Sequence, residues 1–170
     1  RGLGDVYKRQ VSVDDSLLIE NSAMGFTAAN GIILAEGFQV KNTTFSSEDE
    51  TWTQPWGENK KNRNHYNEMA VSLTNEDQVQ LTLRFRVFDD GIGFRYEYTV
   101  PTVDSLLITD ELTTFRFHRD GTSWSIPASA ETYELLYQQQ PISEVETANT
   151  PFTFKTADGV YAVSYTHLRA

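Results

Sequence analysis

The chain has 170 residues, no cysteine and a formal net charge of −10. This length is sufficient for one domain with a sizeable core, and 39% hydrophobic residues with 12% aromatics favour a folded domain over a disordered one. The acidic balance argues against nucleic-acid binding, which needs a basic surface. No apolar run approaches the roughly 18 residues of a membrane-spanning helix, and the lack of cysteine excludes disulfides and thiolate metal sites.

The two ends differ from the sequence between them. Residues 1–10 (RGLGDVYKRQ) and 164–170 (SYTHLRA) look like translated adapter sequence, and neither continues the strand pattern beside it. We therefore expect residues 1–10 and 164–170 to be adapter-derived tails, and residues 11–163 to form a partial β-sandwich domain. The alternative is that residues 1–10 are a native basic N-terminus.

Between these ends, the pattern predicts short strands separated by turn residues. The predicted strands are 17–19, 32–40, 69–73, 79–88, 92–100, 105–108, 113–117, 123–126, 133–137, 152–155 and 160–163. Turn signals occur at Asn30-Gly31, Asp89-Asp90-Gly91, Asp120-Gly121 and Asp158-Gly159. A helical period is present only, and weakly, at residues 128–136. The chain is therefore predicted to be all-β, with antiparallel sheets in a sandwich or barrel.

The segment 42–67 is predicted to be a long loop, and such loops are commonly functional. It contains an acidic run, two tryptophans and a basic patch, with Trp56 in a Pro-Trp-Gly corner. Aromatic side chains on a loop held by a sheet suit a sugar platform or a domain-docking surface, although core or interface packing of the tryptophans is the alternative. The candidates for a substrate pocket or docking surface are Trp56, Glu58, His65, Asn67 and Glu68.

The clearest local prediction is a hairpin over residues 79–100. With Asp90-Gly91 as a two-residue turn, Val87 lies opposite Phe94, and every apolar residue of the two strands falls on one side. A slip of one residue would destroy this sorting, so the hydrophobic pattern restricts the register.

The same register places charged residues opposite one another. Arg84 lies opposite Glu97, which is favourable, whereas Arg86 lies opposite Arg95, which is not. We therefore expect a carboxylate near Arg86 and Arg95, and Glu68 on the preceding strand is the candidate. The functional alternative is that both guanidinium groups hold a carboxylate of a partner domain.

No catalytic residue or metal ligand is predicted in this chain. Paired carboxylates could supply an acid and a base, but none of the carboxylates here lies in a context that marks it as catalytic. A turn explains Asp89-Asp90, and a solvated loop explains the acidic run at 48–50. His65, His118 and His167 lack the spacing of metal ligands.

Three segments together resemble the N-terminal domain of glycoside hydrolase family 97, whose members cleave α-glucosides and, in some branches, α-galactosides. They are Trp52-Thr-Gln-Pro-Trp-Gly-Glu58, His65-Tyr-Asn-Glu68 and Phe85 to Tyr96. The similarity extends from about residue 12 to residue 163. It implies an incomplete galactose-mutarotase-like super-sandwich, followed in the family by a (β/α)₈ barrel and a small C-terminal β-domain.

In that family the catalytic acid and the base or nucleophile come from the barrel. The resemblance therefore implies that this chain is a non-catalytic fragment, whose parent is a glycoside hydrolase. The fragment would support the barrel and wall the sugar pocket through residues 56–68. Its implied partners are the barrel of the same parent chain and, through the parent, an α-linked oligosaccharide.

The resemblance also implies calcium in the parent and a periplasmic or secreted location. In the family, a calcium-ligand glutamate follows the segment that matches residues 159–163, but here the sequence continues Ser-Tyr-Thr-His. No cofactor is therefore expected in the fragment. Two other functions stay open: a stand-alone carbohydrate-binding module that uses Trp52 and Trp56, and a structural sandwich of an adhesin-like protein.

Overall fold

The computed structural model describes residues 8–29, 33–101 and 105–165, and β-strands dominate it. The strands are β1 Lys8–Val13, β2 Ser16–Ala23, β3 Phe26–Ala28, β4 Ile33–Leu34, β5 Gln39–Thr53, β6 Lys61–Thr74, β7 Gln80–Val87, β8 Ile92–Thr99, β9 Ile108–Glu111, β10 Gly121–Ser125, β11 Gln138–Pro141, β12 Phe152–Thr156 and β13 Tyr161–Ser164. One 3₁₀ turn covers Ile142–Glu144. The prediction of an all-β antiparallel fold is confirmed. No helix in the described part of the chain is long and apolar enough to cross a membrane.

The strands belong to two compact units. The first unit comprises the described residues between 23 and 113, with sheets ordered β5-β6-β7-β8 and β4-β3-β9. The second comprises residues 9–22 and those from 114 onward, with the β1-β2 hairpin and a sheet ordered β11-β10-β12-β13.

The core of the first unit lies on one face of the four-stranded sheet. Alternate residues of β7 point to this face, where Leu81 and Leu83 are almost fully buried. The buried members of the cluster are Met24, Ala28, Leu34, Phe38, Leu73, Val79, Leu81 and Leu83. Tyr98 packs against this cluster and donates a hydrogen bond from its hydroxyl to the Leu34 carbonyl at 2.7 Å. Burial raises the pKa of Tyr98, so the hydroxyl stays protonated and remains a donor.

The β7-β8 register differs from the predicted one. Val87 pairs with Ile92, and Phe88 N–H donates to the Gly91 carbonyl at 2.8 Å, so the turn is formed by Asp89-Asp90 rather than by Asp90-Gly91. Moving the turn by one residue shifts the pairing by two positions, which leaves every side chain on its original face. The hydrophobic pattern cannot distinguish these two registers, since strand side chains alternate with a period of two.

The predicted loop over residues 42–67 is wrong. These residues form most of β5 and β6, which pair continuously from Gln39 to Thr74 apart from a bulge between Val40 and Asn42. Every residue of β5 is exposed, so this strand lacks the apolar alternation by which strands are recognised.

In the second unit, β1 and β2 are joined by Asp14-Asp15, both in the left-handed region with φ of 48° and 61°. Such angles suit a two-residue hairpin turn. β1 begins at Lys8, and Arg9 is buried, donating to the Thr114 carbonyl at 2.9 Å with its guanidinium over the Phe115 ring. The expectation that residues 8–10 lie outside the strand pattern is therefore wrong.

Other predicted elements differ in position. Most predicted strands overlap observed ones, but residues 113–117 contribute only an isolated bridge from Phe117 to Ile19, and the strand expected at 133–137 lies at 138–141. Residues 128–136 are not helical. The Asp158-Gly159 turn is confirmed between β12 and β13. Residues 1–7, 30–32, 102–104 and 166–170, which include the Asn30-Gly31 turn, His167 and most of both expected tails, lie outside the described residues.

Candidate functional site on a projecting hairpin

The β5-β6 hairpin is longer than the sheet to which it belongs. β6 pairs with β7 only from Asn67 onward, so residues 48–53 and 61–66 continue as a two-stranded ribbon. Six residues of antiparallel strand span about 20 Å. We refer to residues 48–66, with the turn that joins the two strands, as the arm.

Cross-strand polar contacts hold the arm together. Arg63 donates from Nε and Nη2 to the two carboxylate oxygens of Asp49, at 2.7 and 2.6 Å. Asn64 Nδ2 donates to Glu50 Oε1 at 2.9 Å. The hydrogen bond from Arg63 lowers the pKa of Asp49, so this carboxylate stays ionised in moderately acidic solution.

The turn at the tip of the arm, residues 54–60, is fixed by its own polar groups. Gln54 N–H donates to the Lys60 carbonyl at 3.1 Å, and the Gln54 side chain donates to the Asn59 carbonyl at 2.9 Å. Gly57 has φ of 119°, and a Cβ there would lie 2.5 Å from Gln54 Nε2. A residue with a Cβ would be strained at this φ and would displace the end of the Gln54 side chain, so glycine suits position 57.

Two tryptophans are exposed on the arm. Trp56 is 84% exposed at the tip, and Trp52 on β5 is 50% exposed. Beside Trp56 is an open depression of about 580 Å³, lined by Thr53, Gln54, Pro55, Trp56, Gly57 and Lys60. Glu58 is exposed and does not line the depression. A large aromatic side chain in this position is suited to packing against another surface.

The remaining candidates are divided between the two faces of β6. His65 and Asn67 alternate with Glu68 along the strand and so point to the opposite face. His65 lies across from Asp49, and its Nδ1 is buried without a hydrogen bond, 4.0 Å from the Asp89 carboxylate. The five predicted residues therefore lie along one hairpin but do not form a single pocket.

Glu68 lies at the centre of a ladder of charged side chains. It accepts a hydrogen bond from Arg86 Nε at 2.7 Å and another from Arg84, and is itself 9% exposed. Glu97 in turn accepts from Arg84 at 3.1 Å and from Arg95 at 2.7 Å. These contacts lower the pKa of Glu68, chiefly through the hydrogen bond from Arg86, and the pKa of Glu97, chiefly through the one from Arg84.

The ladder confirms part of the predicted pairing and corrects the rest. The Arg84–Glu97 ion pair is present, but Arg84 lies opposite Arg95, and Glu97 reaches it diagonally. Arg86 lies opposite Gly93, not Arg95. Glu68 does neutralise Arg86, whereas Glu97 performs that role for Arg95. Both corrections follow from the two-position difference in register.

Across residues 8–29, 33–101 and 105–165, no three His, Asp or Glu side chains are grouped so that they could hold a metal ion.

Comparison with known proteins gives the context of the arm. The family model "Glycosyl-hydrolase 97 N-terminal" matches residues 4–165. The chain belongs to glycoside hydrolase family 97. The matched region of this family-97 domain includes the described residues of both units. It also extends into the two ends, at residues 4–10 and 164–165, that were expected to be adapter-derived tails.

Solved structures agree with this assignment. A glycoside hydrolase family 97 enzyme from Pseudoalteromonas sp. strain K8, in complex with panose, is 35% identical with a TM-score of 0.81. The same enzyme is also known in complex with acarbose. The match covers 89% of this chain and 24% of that enzyme. A beta-arabinopyranosidase structure, at 22% identity and a TM-score of 0.79, covers 95% of this chain and 28% of its own, and shares the fold.

A curated relative is the retaining alpha-galactosidase of Bacteroides thetaiotaomicron, 26% identical over 94 residues. The match covers 55% of this chain and 14% of that protein. The chain thus spans about a quarter of the solved enzymes and a seventh of the galactosidase.

The contacts that build the arm were missed at the sequence level. Asp49 and Arg63 lie 14 positions apart, and only a continuous hairpin brings them into diagonal contact across the two strands. A signal was available in the charge pattern, since the acidic run at 48–50 is followed by the basic residues Lys60, Lys61 and Arg63. That signal requires the turn at 54–60 to be recognised first.

Proposed function

We propose that this chain is the non-catalytic N-terminal domain of an α-glycoside hydrolase, that it supports the catalytic barrel, and that its arm walls the sugar pocket of the parent enzyme. The observation that carries the proposal is the arm itself, which extends about 20 Å past the sheet with Trp56 exposed at its tip. A large aromatic side chain so placed is available to pack against the surface of a partner domain.

Two further observations support this function. The Pseudoalteromonas enzyme is about four times as long as the matched region, which leaves ample chain for a catalytic domain. Its ligands panose and acarbose are α-linked oligosaccharides, and the curated relative is named a retaining alpha-galactosidase. The substrate proposed for the parent is accordingly an α-glucoside or an α-galactoside.

The test uses the complete reading frame that contains this domain, assayed with aryl α-glucoside and α-galactoside substrates. Trp56→Ala is expected to raise KM or lower kcat/KM by about ten-fold, because the loss of one buried aromatic contact costs on the order of 1–2 kcal/mol. Tyr133→Ala is the matched control, since Tyr133 is a similarly exposed aromatic residue outside the arm, 71% exposed. A reading frame without a barrel, or equal kinetics for the two variants, would refute the proposal.

A second candidate function is that of a stand-alone carbohydrate-binding module that binds sugars through Trp52 and Trp56. The open depression beside Trp56 favours it. Calorimetric titration of the purified chain with maltose-type and galactoside ligands separates the two functions. If the chain binds one of these sugars and Trp56→Ala abolishes that binding, the carbohydrate-binding module is supported. If the arm of the isolated chain binds no sugar, its role as a wall of the parent's sugar pocket is supported. Calcium in the parent and a periplasmic or secreted location remain proposals that rest on family resemblance.

A further inference from the structure

The sheet of the second unit has one buried face and one accessible face. On the buried face Ser123, Ser125 and Phe154 are all at most 2% exposed. Successive residues of a strand point to opposite faces, so Trp124, between the two serines, points to the other side. Trp124 is only partly buried there.

The accessible face combines aromatic rings with uncharged polar groups. Tyr161 is 67% exposed and Val163 54% exposed on the edge strand β13. The strand pairing aligns Gln139, Trp124, Thr153 and Val163 in one row, and Thr122, Lys155 and Tyr161 in the next. We refer to these seven residues as the platform.

Lys155 is the charged member of the platform, and it is engaged. Its Nζ lies over the Tyr161 ring, 4.9 Å from the centroid. This contact orients the tyrosine ring and covers one of its two faces, which leaves the other face accessible. Hydroxyl groups of Thr122 and Thr153 and the Gln139 amide supply donors and acceptors beside the rings.

The two aromatic rings of the platform are separated by a distance that an extended ligand can span. Trp124 on β10 and Tyr161 on β13 are separated by two strand spacings, with β12 between them. Along the strand direction they are offset by two residues. With strands about 4.8 Å apart and a rise of about 3.4 Å per residue, their Cα atoms are about 12 Å from each other. A ligand covering both rings would cross Thr153 and Lys155.

We propose that the platform binds a neutral oligosaccharide chain, at a site separate from the arm and independent of the function proposed for it. The apolar C–H faces of sugar rings pack on Trp124 and Tyr161, and the sugar hydroxyls bond to Gln139, Thr122 and Thr153. A neutral ligand is indifferent to the chain's charge of −10, which disfavours nucleic acid.

A protein partner fits the platform less well. The centre of a protein interface is apolar, with polar groups at its rim. The platform differs from this arrangement. One of its two central strands, β12, presents the polar residues Thr153 and Lys155, whereas the apolar residue Val163 lies on the edge strand β13.

The test is affinity gel electrophoresis of the 170-residue chain in soluble amylopectin, followed by calorimetric titration with maltoheptaose. We expect retardation in amylopectin and binding of maltoheptaose. Tyr161→Ala is expected to weaken the binding about ten-fold, since stacking on one aromatic ring contributes on the order of 1 kcal/mol or more. Because Tyr161 is largely exposed, the variant should keep the wild-type circular dichroism spectrum.

Tyr133→Ala is the matched control, because it removes an exposed aromatic ring that belongs to neither the platform nor the arm. Gln139→Ala, at a second exposed platform position, should weaken binding in the same direction as Tyr161→Ala. Absence of retardation would overturn the proposal. So would binding that is lost in Trp56→Ala and retained in Tyr161→Ala, or a change in association state caused by Tyr161→Ala without sugar binding.

Discussion

At the scale of single residues, the ladder around Glu68 shows how one carboxylate makes an arginine-rich sheet face possible. Arg84 and Arg95 lie directly opposite each other on β7 and β8, which is unfavourable for like charges. Glu68 and Glu97 offset this by accepting hydrogen bonds from Arg84, Arg86 and Arg95. Because Glu68 is largely buried, its loss would leave two guanidinium groups without their partner.

We predict that Glu68→Gln lowers the free energy of unfolding by about 1–3 kcal/mol, the range for a hydrogen bond to a charged group. Urea denaturation followed by circular dichroism measures it. Glu48→Gln, which changes an exposed carboxylate of the neighbouring strand β5, is the control and should alter stability by less than about 0.5 kcal/mol. Equal free energies of unfolding for Glu68→Gln and Glu48→Gln would show that the charged ladder does not contribute to stability.

The same residue predicts a pH dependence. The pKa of Glu68 is lowered in the folded protein from its ordinary value of 4.5, so its contribution is fully present above about pH 4.5. As the pH falls through the lowered folded-state pKa, the carboxylate is protonated and the contribution is lost. Melting curves between pH 7 and pH 3 should show wild type and Glu68→Gln converging on the acidic side. A constant difference in melting temperature would contradict this linkage.

At the scale of elements, the arm differs from the sheet that carries it. Residues 69–73 of β6 have strands on both sides and pack on the core, whereas residues 61–66 pair only with β5. An isolated two-stranded ribbon is marginally stable in water, so its amide groups should open more often than those of the sheet.

We predict that amide hydrogen exchange is at least ten-fold faster in residues 48–53 and 61–66 than in residues 69–73. Mass spectrometry with peptide resolution can measure both segments in one sample, and the sheet residues act as the internal control. Removing the bidentate contact by Arg63→Ala should accelerate exchange in the arm alone. Uniform protection along β6 would mean that the arm is as stable as the sheet.

The elements that the sequence predicts well are those with a buried face. β7, β8, β10 and β12 all overlap the predicted strands, since alternation of apolar and polar residues marks them. β5 could not be recognised in this way, because its 15 residues are exposed throughout. The alternation of apolar and polar residues also could not fix the register between β7 and β8, because a shift of two positions leaves every side chain on the same face.

The candidate site was predicted in part. Trp56 is exposed at a projecting tip, as a docking or sugar-contacting residue requires, and Glu68 does neutralise Arg86. The partners Asp49 and Arg63 were missed because their proximity depends on the long-range pairing of β5 with β6. The platform was missed for a similar reason, since its seven residues come from four strands.

At the scale of the whole molecule, the family was recognisable from short segments, and its model matches residues 4–165. β5 lies at the edge of its sheet and is exposed along its length, with Phe45 76% exposed. An uncovered edge strand offers unpaired backbone groups to other chains.

We predict that the isolated chain associates in a concentration-dependent manner and that Phe45→Lys reduces this association, since a lysine on an edge strand opposes edge-to-edge pairing. Light scattering coupled to size-exclusion chromatography over a ten-fold concentration range measures it. Leu107→Lys, which replaces another exposed apolar residue away from β5, should have a smaller effect. A monomer at all concentrations would show that the edge is already protected.

The bulge between Val40 and Asn42 lies near the start of β5, far along the hairpin from Trp56. β-Bulges bend and twist the strand that carries them. Over a lever of about 40 Å, a rotation of about 10° displaces the far end by roughly 7 Å. The position of the Trp56 indole ring therefore depends on the geometry of the bulge. Substitutions beside the bulge could change which surface the tryptophan contacts without altering any residue at the tip.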